Sequence, residues 1–184
     1  MIAQAHVFIA TSLDGYIADA SGSVDWLATL PAIDGEDHGY AAFMAGVDAL
    51  LMGAGTYRSV LGFDEWPYEK PVVVLSTSMT QDDVPPGLQG KVRILGLTPG
   101  AALEALGAEG VKRVYLDGGK LITSALQDGL VQCLTVTRVP VLLGRGVPLF
   151  GDTGRLSLTH VETRYWPNGF VQSTYALTSP TTVG

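Results

Sequence analysis

Two stretches of the chain share one grammar. In DALLMGAGTYRSV (48–60), and again in RVYLDGGKLITSAL (113–126), an apolar run ends in glycines and passes into a helix-like segment. Glycine lets a ligand come close to the backbone. The first N–H groups of a helix, unpaired and at the positive end of its dipole, attract an anion. Two such turns on neighbouring parallel strands would open at the carboxyl edge of one sheet, where ligands of open α/β sheets bind. The chemistry suggested is a grip on a dinucleotide pyrophosphate. Taken singly, each turn is equally compatible with a plain strand-to-helix connection.

Standard phosphate motifs do not fit. Gly53-Ala54-Gly55-Thr56-Tyr57-Arg58 begins as GxG but has Arg58 where the Rossmann fingerprint needs its third glycine, and no acid follows about 20 residues on. Gly119-Lys120 is followed by Leu121, not Ser or Thr, which excludes a P-loop. Among titratable residues, Asp14 in SLDGY either positions a polar substrate or shapes its loop through an Asx-turn. Asp37, heading an acidic helix, is either a dipole partner or, if burial raises its pKa, a catalytic acid. Trp26 either caps a substrate pocket or packs in the core, and Lys120 is either an exposed helix residue or a phosphate contact. Trp66 and Trp166 read as packing residues. His6, His38, His160 and the lone Cys133 show no metal-ligand spacing, so no metal is expected.

The elements that must position these residues follow from pattern. HVFIATS (6–12) reads as an apolar strand, followed by a long irregular loop. Tyr40, Phe43, Met44 and Val47 have helical spacing, which predicts a helix over 36–46. DALLM (48–52) is a buried strand, and Thr56 is a candidate cap for a second helix ending at Gly62. VVVLSTS and KVRILG read as central strands of a parallel sheet. Thr98-Pro99 opens a helix that yields at Gly107 and Gly110, RVYLDGG is a strand, and Gly119 starts another helix. CLTVTRVPVLLG, RLSLTHVETRYW and FVQSTYALT alternate as antiparallel strands do. The fold class expected is therefore α/β: a mixed, mostly parallel sheet with helices on both faces and an antiparallel C-terminal portion.

Composition narrows the partners. The 184 residues are 47% hydrophobic, enough for one core, and the expected domain spans 1–178 with a frayed tail at 179–184. A net charge of −7 with only 11 Lys and Arg argues against a nucleic-acid partner. No apolar run reaches about 18 residues and no basic leader opens the chain, so membrane binding is not expected and a cytoplasmic location is. Pro140 and Pro148 flank an apolar, hairpin-like segment suited to an edge strand, and a homodimer through this region is expected.

In their order, SLDGYIA (12–18), DALLMGAGTY (48–57), VVVLST (72–77), VYLDGGKLITSAL (114–126) and PVLLGRGVPLF (140–150) resemble the dihydrofolate reductase superfamily, and most closely the stand-alone relatives of the RibD C-terminal reductase domain. The resemblance implies a dihydrofolate reductase-like fold and an NADPH-dependent reductase that delivers hydride to a C=N bond of a pterin, pyrimidine or related heterocycle. By that resemblance Gly53, Gly55, Thr56 and Tyr57 would hold phosphate and adenosine groups, and Ser76 and Thr77 the adenine ribose and 2'-phosphate. Gly118, Gly119, Lys120, Leu121 and Ile122 would line the pyrophosphate and nicotinamide ribose, and Ala10, Ile17 and Ala18 the nicotinamide. Trp26, Asp14 and Tyr40 would face the substrate, with Asp37 or Asp14 as the catalytic group. The chain departs from its relatives in having Ala54 where dihydrofolate reductases carry an Arg, Phe8 where RibD reductases carry a Lys, and Gly39 at the usual helix-acid position. A nucleotide- or flavin-binding protein of the same fold without turnover is the alternative, and a purely structural α/β protein a further one.

Overall fold

The computed structural model describes residues 1–177; the expected tail at 179–184 lies outside the described residues. Ten strands and four helices run in the order β1 (Gln4–Thr11), β2 (Tyr16–Ala18), α1 (Tyr40–Ala45), β3 (Ala49–Gly53), α2 (Ala54–Leu61), β4 (Val72–Leu75), β5 (Val92–Leu95), α3 (Pro99–Ala108), β6 (Arg113–Asp117), α4 (Gly119–Gln127), β7 (Val131–Arg138), β8 (Val147–Pro148), β9 (Thr159–Tyr165) and β10 (Val171–Ala176). Eight of the strands form one sheet in the order β5-β4-β3-β6-β1-β7-β10-β9. The run from β5 to β7 is parallel, whereas β10 is antiparallel to both β7 and β9. The segment 131–138, expected as an antiparallel strand, instead runs parallel to β1 and turns the sheet antiparallel only on its far side.

Alternation along the central strands divides the core into two layers. Val7, Leu51, Val73, Val114 and Leu116 meet Leu103, Leu106, Ile122 and Leu126 of α3 and α4 on one face. Leu50, Met52, Val72, Val74 and Tyr115 meet Tyr57 and the aromatic residues around α1 on the other. Each fully buried Leu, Ile or Val contributes about 1.5–3 kcal/mol, so both layers are needed to hold the sheet edge in position. Thr98 caps α3 as its sequence predicts, its Oγ1 accepting from the Ala101 N–H at 3.3 Å, with Pro99 at the first helical position.

Three local expectations change. The helix expected over 36–46 begins only at Tyr40, because Gly35, His38 and Gly39 all take positive φ and the chain turns there. Thr56 does not cap α2: Gly53 occupies that position in extended backbone, and Thr56 stands inside the first turn. The segment PVLLGRGVPLF is not an edge strand of the main sheet. It crosses over the first loop, and its Val147–Pro148 pairs with Tyr16–Ala18 as a separate two-stranded sheet.

Candidate functional site

The two glycine turns meet. β3 and β6 are adjacent and parallel, with Met52 opposite Asp117, so Gly53 and Gly118 are the next residues on neighbouring strands. Gly118 has φ +102° and ψ 129°, a backbone region open essentially to glycine, and a Cβ placed there would collide with Thr56 Oγ1. Neither α2 nor α4 has a side-chain cap, which leaves their leading N–H groups directed at the same edge of the sheet. A Cβ added at Gly53 or Gly55 would meet no atom within 4 Å. These are the features of a cradle for an anionic group.

Gly119 serves packing instead. A Cβ there would lie 2.6 Å from the Pro148 carbonyl oxygen and 3.2 Å from Ile17 Cδ1, so the bare glycine lets the 147–149 segment close over α4. Gly119→Ala is expected to cost about 1–3 kcal/mol in urea unfolding, since the backbone of Pro148 and Leu149 must give way.

Thr56 and the exposed Lys120 stand at the cradle. Ala10 stands one residue before the end of β1, paired with Thr137, Ile17 reaches the start of α4, and Ala18 is buried beside the crossover segment. Ser76 follows β4, and its Oγ accepts from the N–H groups of Ser78 and Met79, shaping the turn there, while Thr77 is exposed. Three of the expected cofactor contacts are corrected by burial. The side chains of Tyr57, Leu121 and Ile122 are core residues, on the inward stripes of α2 and α4, and only their backbone could face a ligand.

Both acids singled out in the sequence have structural work. The Asp37 carboxylate accepts from Gly39 N–H at 2.9 Å and Ala41 N–H at 2.7 Å, which holds its pKa below the usual range. Asp14 accepts from Ser12 Oγ at 2.6 Å and from the N–H groups of Leu143 and Gly144, tying the first loop to the crossover; its pKa is lowered chiefly by the Ser12 bond. These hydrogen bonds favour the ionised form of both carboxylates, which counts against either of them as a proton donor. A depressed folded pKa gives stability that is complete above the unfolded value of 3.8 and is lost as pH falls through the folded value. Asp48 behaves alike through the N–H groups of Arg113 and Lys112. Circular dichroism against pH is therefore expected to show unfolding only below about pH 4.

The acid the sequence reading passed over is Asp117, the last residue of β6. The residue keeps some exposure, yet burial of its carboxyl pushes the pKa up to about 6, eased only by a hydrogen bond from the Gly118 N–H. Its charge is felt by Tyr40, Tyr68 and Tyr115, whose hydroxyls are all pushed up by burial first and by Asp117 second. Tyr115 Oη donates to the Phe8 carbonyl oxygen at 3.0 Å. Phe8 stacks on Phe43 at 4.8 Å and lies 5.9 Å from Tyr40, which remains 36% exposed. Asp117 thus lies beside an aromatic wall and adjoins the glycine turn. One sequence signal could have found it: an ionisable side chain closing an otherwise apolar strand immediately before Gly-Gly. Trp26 lies in a short 3-10 turn (25–29), half-buried, with its indole Nε1 unpaired. Among the described residues no group of three His, Cys, Asp or Glu could hold a metal. His6, paired across the strands with Cys133, is pushed down to about 4 by burial and then by Arg113.

The model of the RibD C-terminal domain matches residues 5–172. The chain belongs to this family. As a RibD C-terminal domain it has curated relatives in Bacillus subtilis (strain 168): YwjB is 31% identical over 150 residues, covering 79% of this chain and 82% of that one, and YyaP is 29% identical over 187 residues, covering 91% of each. A protein from Shewanella sp. PV-4 ascribed to riboflavin biosynthesis is 42% identical, with a TM-score of 0.89 over 97% of this chain and 99% of that one. A Thermotoga maritima diaminohydroxyphosphoribosylaminopyrimidine deaminase/5-amino-6-(5-phosphoribosylamino)uracil reductase shares the fold at 17% identity, with a TM-score of 0.69 over 96% of this chain and 57% of that one. The RibD C-terminal fold, a mixed and mostly parallel sheet with flanking helices, is thus established, and it is the fold of riboflavin-biosynthesis reductases. Among the described residues no helix is long and apolar enough to cross a membrane.

Proposed function

We propose that the protein is a cytoplasmic, NADPH-dependent reductase of a pterin, pyrimidine or related heterocycle. The observation that carries this reading is the approach of Gly118 to Thr56, which joins two uncapped helix starts into one cradle beside a buried carboxyl of raised pKa. The open space at Gly53 and Gly55 fits a pyrophosphate, held by the leading N–H groups of α2 and α4 with Thr56 and Lys120 at its flanks. Arg58 is the cation on α2 available to a 2'-phosphate, because Ala54 offers none. Ala10, Ile17 and Ala18 would border the nicotinamide, keeping water from it with small and apolar side chains.

NADPH, when bound, supplies a hydride to the carbon of a C=N bond and leaves as NADP⁺. The nitrogen of that bond needs a proton. The Asp117 carboxyl, protonated over a wider pH range than an ordinary aspartate, holds one on its oxygen at the edge of the cradle. Tyr40 and Phe8 give a planar ring an apolar surface to lie against, which fixes its distance from the cofactor.

Titration with NADPH and NADH, followed by nicotinamide fluorescence, tests the reading. Binding of NADPH in the micromolar range supports it, whereas no signal with either up to about 1 mM sinks it. We also propose a homodimer. Beside the crossover, Leu13, Phe150, Leu158 and Val171 are exposed around a groove of about 550 Å³ lined by residues of β7 and β10. Light scattering is expected to give about twice the 19.4 kDa chain mass.

A further inference from the structure

We propose that Gln172 and His38 are positioning residues: they anchor the 31–39 segment at the carboxyl edge of the sheet and thereby set Tyr40 in the wall against which the substrate ring lies. The role of that wall rests on the reductase reading, whereas the anchor rests on contacts within the chain. Val171 stands opposite Arg138, the last residue of β7, so the turn between β9 and β10 (166–170) lies where β7 ends. Because β1, β3, β6 and β7 are parallel, this turn shares its edge of the sheet with the two glycine turns.

The anchor has a backbone half. Ala10, Thr137 and Gln172 are register partners on β1, β7 and β10. Gln172 is 5% exposed, and its Nε2 donates to Thr137 Oγ1 at 2.9 Å and to the His38 carbonyl oxygen at 3.0 Å. A carbonyl oxygen only accepts, which fixes the nitrogen end of the amide on His38. The segment is thus tied to the row that holds Ala10, a residue bordering the nicotinamide in the reductase reading.

The other half is a side-chain clamp. The His38 ring stacks on Phe170 and meets Trp166 edge-on, each at 4.8 Å. Asn168 Nδ2 donates to the Pro31 carbonyl oxygen at 3.1 Å and lies 3.4 Å from His38 Nε2. Among the described residues His38 alone of the non-glycines takes a positive φ, +55°. Such a backbone persists where its surroundings over-determine it, and the clamp and the Gln172 bond do so. Two residues on, Tyr40 opens α1, whose six residues are too few to hold a place unaided, and its ring lies 5.9 Å from Phe8. Moving His38 therefore moves the wall.

The test uses the full chain, Gln172→Met, which keeps the side-chain length but has no donor, and His38→Asn, which tolerates positive φ but has no ring for the clamp. Hydrogen exchange read by mass spectrometry over 31–41 is measured beside fluorescence titrations with NADPH and with 2,4-diamino-6-hydroxypyrimidine. In each variant the Gly39 and Ala41 amides are expected to exchange at least about tenfold faster. The pyrimidine is expected to bind at least about fivefold more weakly, while NADPH affinity changes by less than about twofold. Unchanged exchange in both variants overturns the anchor. Faster exchange with the parent's pyrimidine affinity, or with equal weakening of both ligands, overturns the positioning role. A parent chain that binds neither ligand counts against the reductase reading, and the positioning of a substrate wall falls with it, whereas the exchange result still decides the anchor.

Discussion

Asp117→Asn is expected to unfold at higher urea concentration than the parent at pH 8, while losing about 10²-fold or more in turnover. The two effects have one cause. Burial raises the Asp117 pKa from 3.8 to about 6, so the folded protein holds this carboxyl's proton more tightly than the unfolded chain does. The group's contribution to stability is therefore complete below pH 3.8 and is lost as pH rises through about 6, where the folded state must carry a buried charge. At pH 8 that cost amounts to about 1–3 kcal/mol, the lower figure allowing for the residue's remaining exposure. Asparagine keeps the shape and carries no charge, so the cost disappears; at pH 4 the parent and the variant should differ little.

The kinetic side has the same sign. If the protonated carboxyl supplies the proton, the parent's kcat declines as pH rises above about 6, and the variant loses that limb. Tyr40, Tyr68 and Tyr115 face the carboxyl, and all three phenols are pushed further up, so none of them titrates in this window. Urea midpoints at pH 4 and pH 8, together with a pH profile of kcat, check both halves. A variant less stable than the parent at pH 8 would remove the buried-charge account.

How far the sequence carries the reader can be judged at particular residues. The strand end at Gly53 and the Thr98-Pro99 helix start follow from local chemistry, because glycine and proline act over a few residues, whereas the direction of β7 does not. Nor does the neighbourhood of β3 and β6. Residues 53 and 118 are brought together by a crossover order in which β6 inserts between β3 and β1, and no short-range pattern encodes that insertion. Asp37 and Asp14 looked chemical because acids at loop and helix starts often are, yet each spends its oxygens on nearby N–H or O–H donors. Asp117 stood inside the strand RVYLDGG with no role assigned to it, because burial of one carboxyl is a property of the packing around it. Leu121, Ile122 and Tyr57 fall inside glycine-turn motifs, but helical periodicity already assigns their side chains to the core beside Ala125, Leu126 and Val60.

The cradle itself is tested by contrasting two glycines. Gly118→Ala forces an L residue into φ +102° and drives its methyl onto Thr56 Oγ1, with an expected loss of about 2–4 kcal/mol of stability and at least about tenfold in NADPH affinity. Gly53→Ala has φ −83° and ψ 163°, which alanine adopts freely, and its methyl meets only open space. Stability should change by less than about 0.5 kcal/mol, so any loss of NADPH affinity in this variant reports a methyl group standing where the ligand lies. Combining Gly118→Ala with Thr56→Ala removes the collision and keeps the unfavourable φ, so the double variant should recover only part of the lost stability. Chemical denaturation and nicotinamide fluorescence on the three proteins separate backbone strain, steric collision and ligand exclusion. Gly53→Ala with full stability and undiminished affinity would mean that the open space beside α2 is not where the coenzyme sits.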